Sequence, residues 1–173
     1  MDEIEVRRAG VDDAEAIAEV YLASFAATYK FPLAHSDREV RHWIAEILIP
    51  TKEVWVVTDR DEAVVAMMAL SLEMLDQLYV LPAWAGRGIG SRLIELAKSR
   101  RPRGLDLYTF QVNARARSFY EGHGFVEVAR GDGSGNEERQ PDLRYAWRPN
   151  DLEAGKASGW GADPAGPRDR PMA

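Results

Sequence analysis

The chain has 173 residues, enough for one domain with a substantial core, and its 46% hydrophobic and 29% charged content is that of a folded protein. The absence of cysteine excludes a disulfide framework, a thiolate metal site and a cysteine nucleophile, and a net charge of −6 lacks the basic footprint of a general nucleic-acid binder. No stretch approaches the roughly 18 apolar residues of a membrane span, and Met-Asp-Glu-Ile-Glu-Val-Arg-Arg at the start lacks the apolar run of a signal peptide. A cytoplasmic protein with neither nucleic acid nor membrane as partner is expected, as a monomer or homodimer.

Residues 4–7 read as a short strand. Asp12 can N-cap a helix whose inner face is Ile17, Val20, Tyr21 and Ser24. Residues 25–35 read as a loop carrying Thr28, Tyr29, Phe31 and Pro32. Ser36-Asp37-Arg38-Glu39 is a capping box, followed at helical spacing by Val40, Trp43, Ile44, Ile47 and Leu48 until Pro50. Residues 54–58 and 63–70 are apolar runs parted by Asp59-Arg60-Asp61-Glu62, which predicts a hairpin of buried strands.

The next strand, through Leu78, Tyr79, Val80 and Leu81, must stop at Pro82, which has no N–H for the ladder. Gly86, Gly88 and Gly90 then remove side chains where the backbone tightens, so that successive N–H groups of residues 87–91 can face one concavity. From Ile89 the spacing of Leu93, Leu96 and Ala97 is helical. A glycine loop ending at a helix N-terminus is an anion site, most naturally for phosphate. It is no Walker loop, lacking the Gly-Lys-Ser/Thr ending, and its mid-chain position does not suit a dinucleotide fingerprint.

Pro102 and Gly104 end that helix, and Leu105–Phe110 supplies a strand parallel to the first. Asn113 N-caps a helix over Ala114–Gly122, closed by Gly124 as a left-handed cap. Residues 125–129 and 143–147 alternate as a final hairpin. From residue 149 to 173 the chain is rich in glycine and proline without periodicity, which predicts a mobile tail on a domain of residues 1–148, with Trp160 its only aromatic side chain. Between Ala85 and Arg117 eight basic residues face two acidic ones. A solvated helix face accounts for part of this excess, and attraction for a polyphosphate for the part at the loop and the helix starts.

Two stretches together resemble the GNAT N-acetyltransferase superfamily. Ala85-Gly86-Arg87-Gly88-Ile89-Gly90 matches its Gln/Arg-x-x-Gly-x-Gly/Ala acyl-CoA loop except that Ala85 replaces the first Gln or Arg, and Asn113-Ala-Arg-Ala-Arg-Ser-Phe-Tyr-Glu-Gly-His-Gly-Phe125 matches its Asn-x-x-Ala-x-x-Phe-Tyr-x-x-x-Gly-Phe pattern. The likeness in element order runs from Ile4 to about Trp147. It implies an α/β fold (α+β mixed) with a central mixed sheet of about seven strands, splayed at two parallel strands around the CoA site and flanked by about four helices. It implies an acyl-CoA-dependent N-acetyltransferase moving an acetyl group from acetyl-CoA to a primary amine, small or on a protein N-terminus or lysine, by direct transfer in a ternary complex without a metal. The cofactor positions it implies are Leu78, Tyr79, Val80, Arg87, Gly88, Ile89, Gly90, Ser91, Asn113 and Tyr120.

The chemistry needs a base for the amine, a donor for the developing oxyanion and a group that stabilises the departing thiolate. The Val80 N–H resembles the family's oxyanion donor and Tyr120 its tyrosine, although the residues alone make Tyr120 a core aromatic beside Phe119. Met74 stands where related histone acetyltransferases carry a glutamate, which leaves Asp76, a water chain, or a carboxylate from elsewhere, among them Glu137, Glu138 and Asp142. Strand parity predicts that Asp76 faces the same side as Leu78 and Val80. Of the histidines, His35 belongs to the acceptor side, while His42 and His123 read as ordinary surface residues. Catalytic candidates are thus Tyr120, Asp76 and Glu138, and acceptor candidates are Tyr29, His35, Glu137 and Asp142. The absence of an obvious base keeps open a catalytically weak acyl-CoA-binding or regulatory module, and a third reading is an unrelated phosphate-binding α/β protein.

Overall fold

The computed structural model describes residues 3–149. The tail reading from residue 150 onward and the placement of Trp160 lie outside the described residues. Seven strands form two antiparallel sheets, the first ordered β1 (Glu5–Arg8), β2 (Glu53–Thr58), β3 (Val64–Leu70), β4 (Leu75–Val80), the second β5 (Leu105–Phe110), β7 (Asp142–Trp147), β6 (Val126–Gly131). Where the sheets meet, β4 and β5 are parallel. Met74 and Asp106 form a bridge there, and the Asp106 N–H donates to the Glu73 carbonyl at 2.9 Å.

The helices are α1 (Ala14–Thr28), α2 (Asp37–Trp43) continuing through a π segment (Ile44–Leu48) into the short α3 (Ile49–Thr51), α4 (Ile89–Arg100) and α5 (Ala114–Gly122). The central strands β2 and β3 read as continuous apolar runs because both of their faces are covered. Val57, Val65, Met68 and Leu70 join a core with Ile89, Leu93, Ile94 and Ala97 of α4. Val54, Val56, Met67 and Ala69 point the other way, onto Ile17 and Val20 of α1 and Val40, Ile44 and Leu48 of the second helical stretch. A third cluster of Phe25, Tyr29 and Phe110, with Phe31, joins the end of α1 to β5.

Several local expectations shift. Asp13, not Asp12, closes the entry to α1, accepting from the Gly10 N–H at 2.8 Å and pairing with Arg7 at 2.8 Å. Helix α1 continues to Thr28, because Phe25 and its neighbours find aromatic partners that reward the extra turn; the loop begins at Tyr29. The capping box forms as expected, with the Glu39 N–H on Ser36 Oγ and the Ser36 N–H on Glu39 Oε2. The helix it starts widens before Pro50, where the missing N–H removes an α-helical bond and the Ile49 N–H reaches back to the Ile44 carbonyl instead.

Candidate active site

The loop after β4 turns through a short 3-10 segment (Pro82–Trp84) and enters α4 at Gly88. Gly86 and Gly88 take φ of 79° and 80°, a left-handed conformation that favours glycine, and a side chain at either would meet nothing within 4 Å. Their role is therefore conformational. They lead the chain into α4, whose first-turn N–H groups at Ile89, Gly90 and Ser91 have no partner within the helix. Gly90 differs: a Cβ there would lie 3.0 Å from the Phe119 ring, so this glycine lets α4 and α5 approach each other. The Arg87 guanidinium stacks 4.7 Å above the Trp84 ring.

The register of β4 decides which main-chain groups face outward. The Leu81 N–H donates to the Val65 carbonyl at 2.9 Å, which makes Ala66–Val80 and Met68–Leu78 non-hydrogen-bonded pairs. The N–H groups of Leu78 and Val80 thus point away from β3, toward the gap between the sheets. The Val80 carbonyl accepts there from Ser24 Oγ at 3.2 Å. Tyr79 departs from its expected cofactor role, since its main chain pairs with Met67 of β3 and its ring turns to the opposite face, 4.9 Å from the Tyr21 ring.

Tyr120 is fully buried among Phe119, Phe125 and Tyr145, in the core that Leu78 and Val80 pack against. Burial, with the Tyr29 phenol a smaller contributor, pushes its hydroxyl pKa well above the ordinary tyrosine value, so it is protonated at neutral pH. Asn113 caps α5 by accepting the Ala116 N–H at 3.0 Å and donates through Nδ2 to the Tyr29 phenol at 2.8 Å. It is a positioning residue joining two elements. Tyr29 is tied into the aromatic cluster and is not among the walls of the cavity beside β4.

That cavity, about 740 Å³, lies between the second helical stretch, β4 and the connection from β6 to β7. Its aromatic walls are Tyr21, Phe25, Trp43, Tyr79 and Phe110, and its polar groups include His35, Glu39, Glu137, Glu138, Lys52, Asp76 and Gln77. His35 Nε2 lies 2.6 Å from Glu137 Oε2, binding the 29–36 loop to the β6–β7 connection. Burial raises the phenols of Tyr21 and Tyr79, and the Glu138 carboxylate, a wall of the same cavity, adds to both.

Asp76 moves furthest from expectation. Leu70 pairs with Leu75 and Ala69 with Gln77, so Asp76 is the extra residue of a bulge and strand parity fails at this position. Its side chain opens into this cavity, four residues before Val80, or roughly 13 Å along a strand. A base must reach its proton directly or through one water. Asp76 therefore does not serve the Val80 end. Asp142 is likewise withdrawn: it is buried in β7, where its carboxylate accepts from Asn136 Nδ2 at 3.1 Å, and it does not line the cavity.

The basic excess divides. Arg100 and Arg101 pair with Glu53, and Lys98 donates to the His123 carbonyl; Arg87 in the loop and Arg92 at the start of α4 are solvent-exposed. His123 is no ordinary surface residue. Its Nδ1 lies 2.7 Å from the Phe119 carbonyl and must carry the proton, so in the neutral ring Nε2 accepts from the Ser91 hydroxyl at 3.0 Å. Its place between Phe119 and Gly124 in the second motif was the available signal. Gln77 and Tyr21, both cavity walls, carried none in the sequence.

A family model described as an acetyltransferase (GNAT) domain matches residues 50–127. The peptidyl-lysine N-acetyltransferase YjaB of Salmonella typhimurium is 32% identical over 75% of this chain and 88% of its own. The solution structure of apo YjaB from Escherichia coli superposes with a TM-score of 0.70 at 27% identity, covering 84% of this chain and 97% of that one. The PaiA N-acetyltransferase of Thermoplasma acidophilum, crystallised with coenzyme A, has the same fold, with a TM-score of 0.65 at 22% identity over 84% of this chain and 99% of that one.

Proposed function

Since the chain belongs to the GNAT acetyltransferase family and is an acyl-CoA-dependent N-acetyltransferase, we propose that it acetylates a primary alkylamine that enters the acidic, aromatic cavity beside β4, by direct transfer in a ternary complex. A lysine side chain is the first candidate, given relatives named peptidyl-lysine N-acetyltransferases. The observation that carries this reading is one of position. The cavity that Tyr79 and Glu138 line lies against the same strand whose Leu78 and Val80 N–H groups face the gap between the sheets. A cationic amine is drawn by carboxylates and sheathed by aromatic faces, which suits an ammonium with an alkyl chain.

The residues fit the cosubstrate. The α4 N-terminus and the loop from Arg87 to Ser91 suit a pyrophosphate, and the outward edge of β4 suits the amides of a pantetheine arm. Acetyl-CoA, when bound, supplies an acyl group activated as a thioester. Glu138, directly or through water, takes the amine's proton; the Val80 N–H donates to the carbonyl oxygen as charge develops on it. Tyr120 faces the departing sulfur as a hydrogen-bond donor. Its pKa lies above 10 and a thiol's near 8.5, so complete transfer would cost at least roughly 2 kcal/mol. Stabilisation by the O–H dipole, with solvent supplying the final proton, is the cheaper course. The cytoplasm, where acetyl-CoA is available, is the compartment this reading assigns.

Free-thiol release, measured with lysyl peptides and small primary amines, tests the proposal. Turnover with at least one amine class, reduced in Glu138→Gln, is expected. Thiol release with no amine would favour an acyl-CoA-binding module instead.

A further inference from the structure

Along β4 from Tyr79 toward the start of the strand, the cavity has further polar walls in Asp76 and Gln77, together with Lys52 and Ser71. Asp76 is 4% exposed and Gln77 2%, yet Asp76 Oδ2 and Gln77 Oε1 have no hydrogen-bond partner. A buried acceptor left without a donor is costly, and two from adjacent residues on one cavity wall make a pair. The strand is built to present them, because the bulge re-aims Asp76 out of its parity and into the cavity that Gln77 also lines.

The neighbouring groups do not satisfy the two oxygens. Ser71 hydrogen-bonds the Asp76 carboxylate without reaching Oδ2. Lys52 Nζ is 4.0 Å from Oδ1, beyond hydrogen-bond reach, and Arg101 is engaged by Glu53 and the Ser71 carbonyl. What the pair lacks is N–H donors. A carboxylate beside an amide oxygen, in a cavity whose other carboxylates are Glu39, Glu137 and Glu138, favours a donor group that is also cationic.

We propose that Asp76 and Gln77 form a second acceptor subsite, which holds a cationic N–H group of the substrate at a distance from the amine that is acetylated. The separation follows from the strand: Tyr79 and Asp76 are three residues apart, or roughly 10 Å. The acceptor is then a two-headed molecule, cationic at both ends. A free diamine and a peptide with a second Lys or Arg near the target lysine share this chemistry. The inference rests on the cavity being the acceptor site.

The test compares kcat/KM for α,ω-diamines of graded length with that for monoamines of matched length, and for lysyl peptides with and without a second basic residue. The wild type should prefer a two-headed acceptor by tenfold or more, with an optimum in length. Asp76→Asn combined with Gln77→Met should bring the ratio toward one through the KM of the two-headed acceptor. Lys52→Met, which removes a competing cation, should raise the ratio. A preference confined to diamines or to peptides identifies the source. Monoamine turnover without any two-headed preference in the wild type, or a preference that survives in the folded double variant, overturns the subsite and leaves the acceptor site standing. Failure of every amine would overturn the acceptor site itself. Thermal melts of each variant separate loss of fold from loss of preference, and Gln77→Met alone, uncharged and similar in volume, gives a second reading of the ratio.

Discussion

The Asn113 side chain donates to the Tyr29 phenol at 2.8 Å while accepting the Ala116 N–H, so one amide ties the end of α1 to the start of α5 across the gap between the two sheets. Asn113→Ala removes the cap and the tie together. It should lower stability by about 1–2 kcal/mol, a fall in Tm of about 2–4 °C per kcal/mol for a chain of this size. Asn113→Asp, which keeps the cap acceptor and loses the donor, should recover part of that loss. Chemical denaturation of the three proteins measures both.

The glycines of the loop should separate by phenotype. Gly88→Val forces a branched side chain to φ of 80° where the cradle forms, and should weaken acetyl-CoA binding far more than it weakens folding. Gly90→Ala presses on Phe119 and should lower Tm first, with Phe119→Leu relieving it. Calorimetric titration beside thermal melts reads the contrast, and unchanged affinity in folded Gly88→Val would remove the loop from the CoA site.

Tyr120→Phe keeps the core packing and deletes the donor. Turnover should fall roughly 10²- to 10³-fold, the loss of one preorganised donor, while acetyl-CoA affinity stays close to that of the wild type. Because burial raises the phenol, the alkaline limb of the rate profile up to pH 9 should not belong to Tyr120. Wild-type turnover in the variant would leave it as packing alone.

Glu138→Gln should raise the acceptor KM or lower kcat by about 10- to 100-fold without a comparable change in acetyl-CoA binding, since the carboxylate lines the acceptor cavity. Steady-state kinetics with each substrate varied in turn distinguishes the two effects.

Burial, opposed by Ser71 and Lys52, pushes the Asp76 carboxyl up. The folded protein therefore holds this proton more tightly than the unfolded chain does. The stability it contributes is fully present below the unfolded value, about 3.9, and is lost as pH rises through the raised folded value. Asp76→Asn, nearly the same shape without the charge, should melt above the wild type at pH 7, with the gap closing as the pH falls toward 4. A gap independent of pH would mean that the charge is not the cause.

The amino-acid sequence was sufficient where the determining interaction is local. The Ser36–Glu39 capping box, the Asn113 cap and the left-handed Gly88 and Gly124 each act within a few residues, and the two motifs around them carried the family. Strands β2 and β3 were legible because burial on both faces leaves an unbroken apolar run. The walls of the cavity as an assembled set were not legible, although His35, Asp76, Glu137 and Glu138 were each candidates. The walls depend on a bulge that turns Asp76 out of its strand parity, on aromatic partners that prolong α1 past Phe25, and on a connection that brings Glu137 to His35 from 102 residues away in the chain. Sequence alone determined the glycine cradle and the elements that carry it, because backbone conformation is a short-range property. Only the tertiary structure decided which carboxylates share the cavity, because that depends on how separate elements pack and not on the pattern within any one of them.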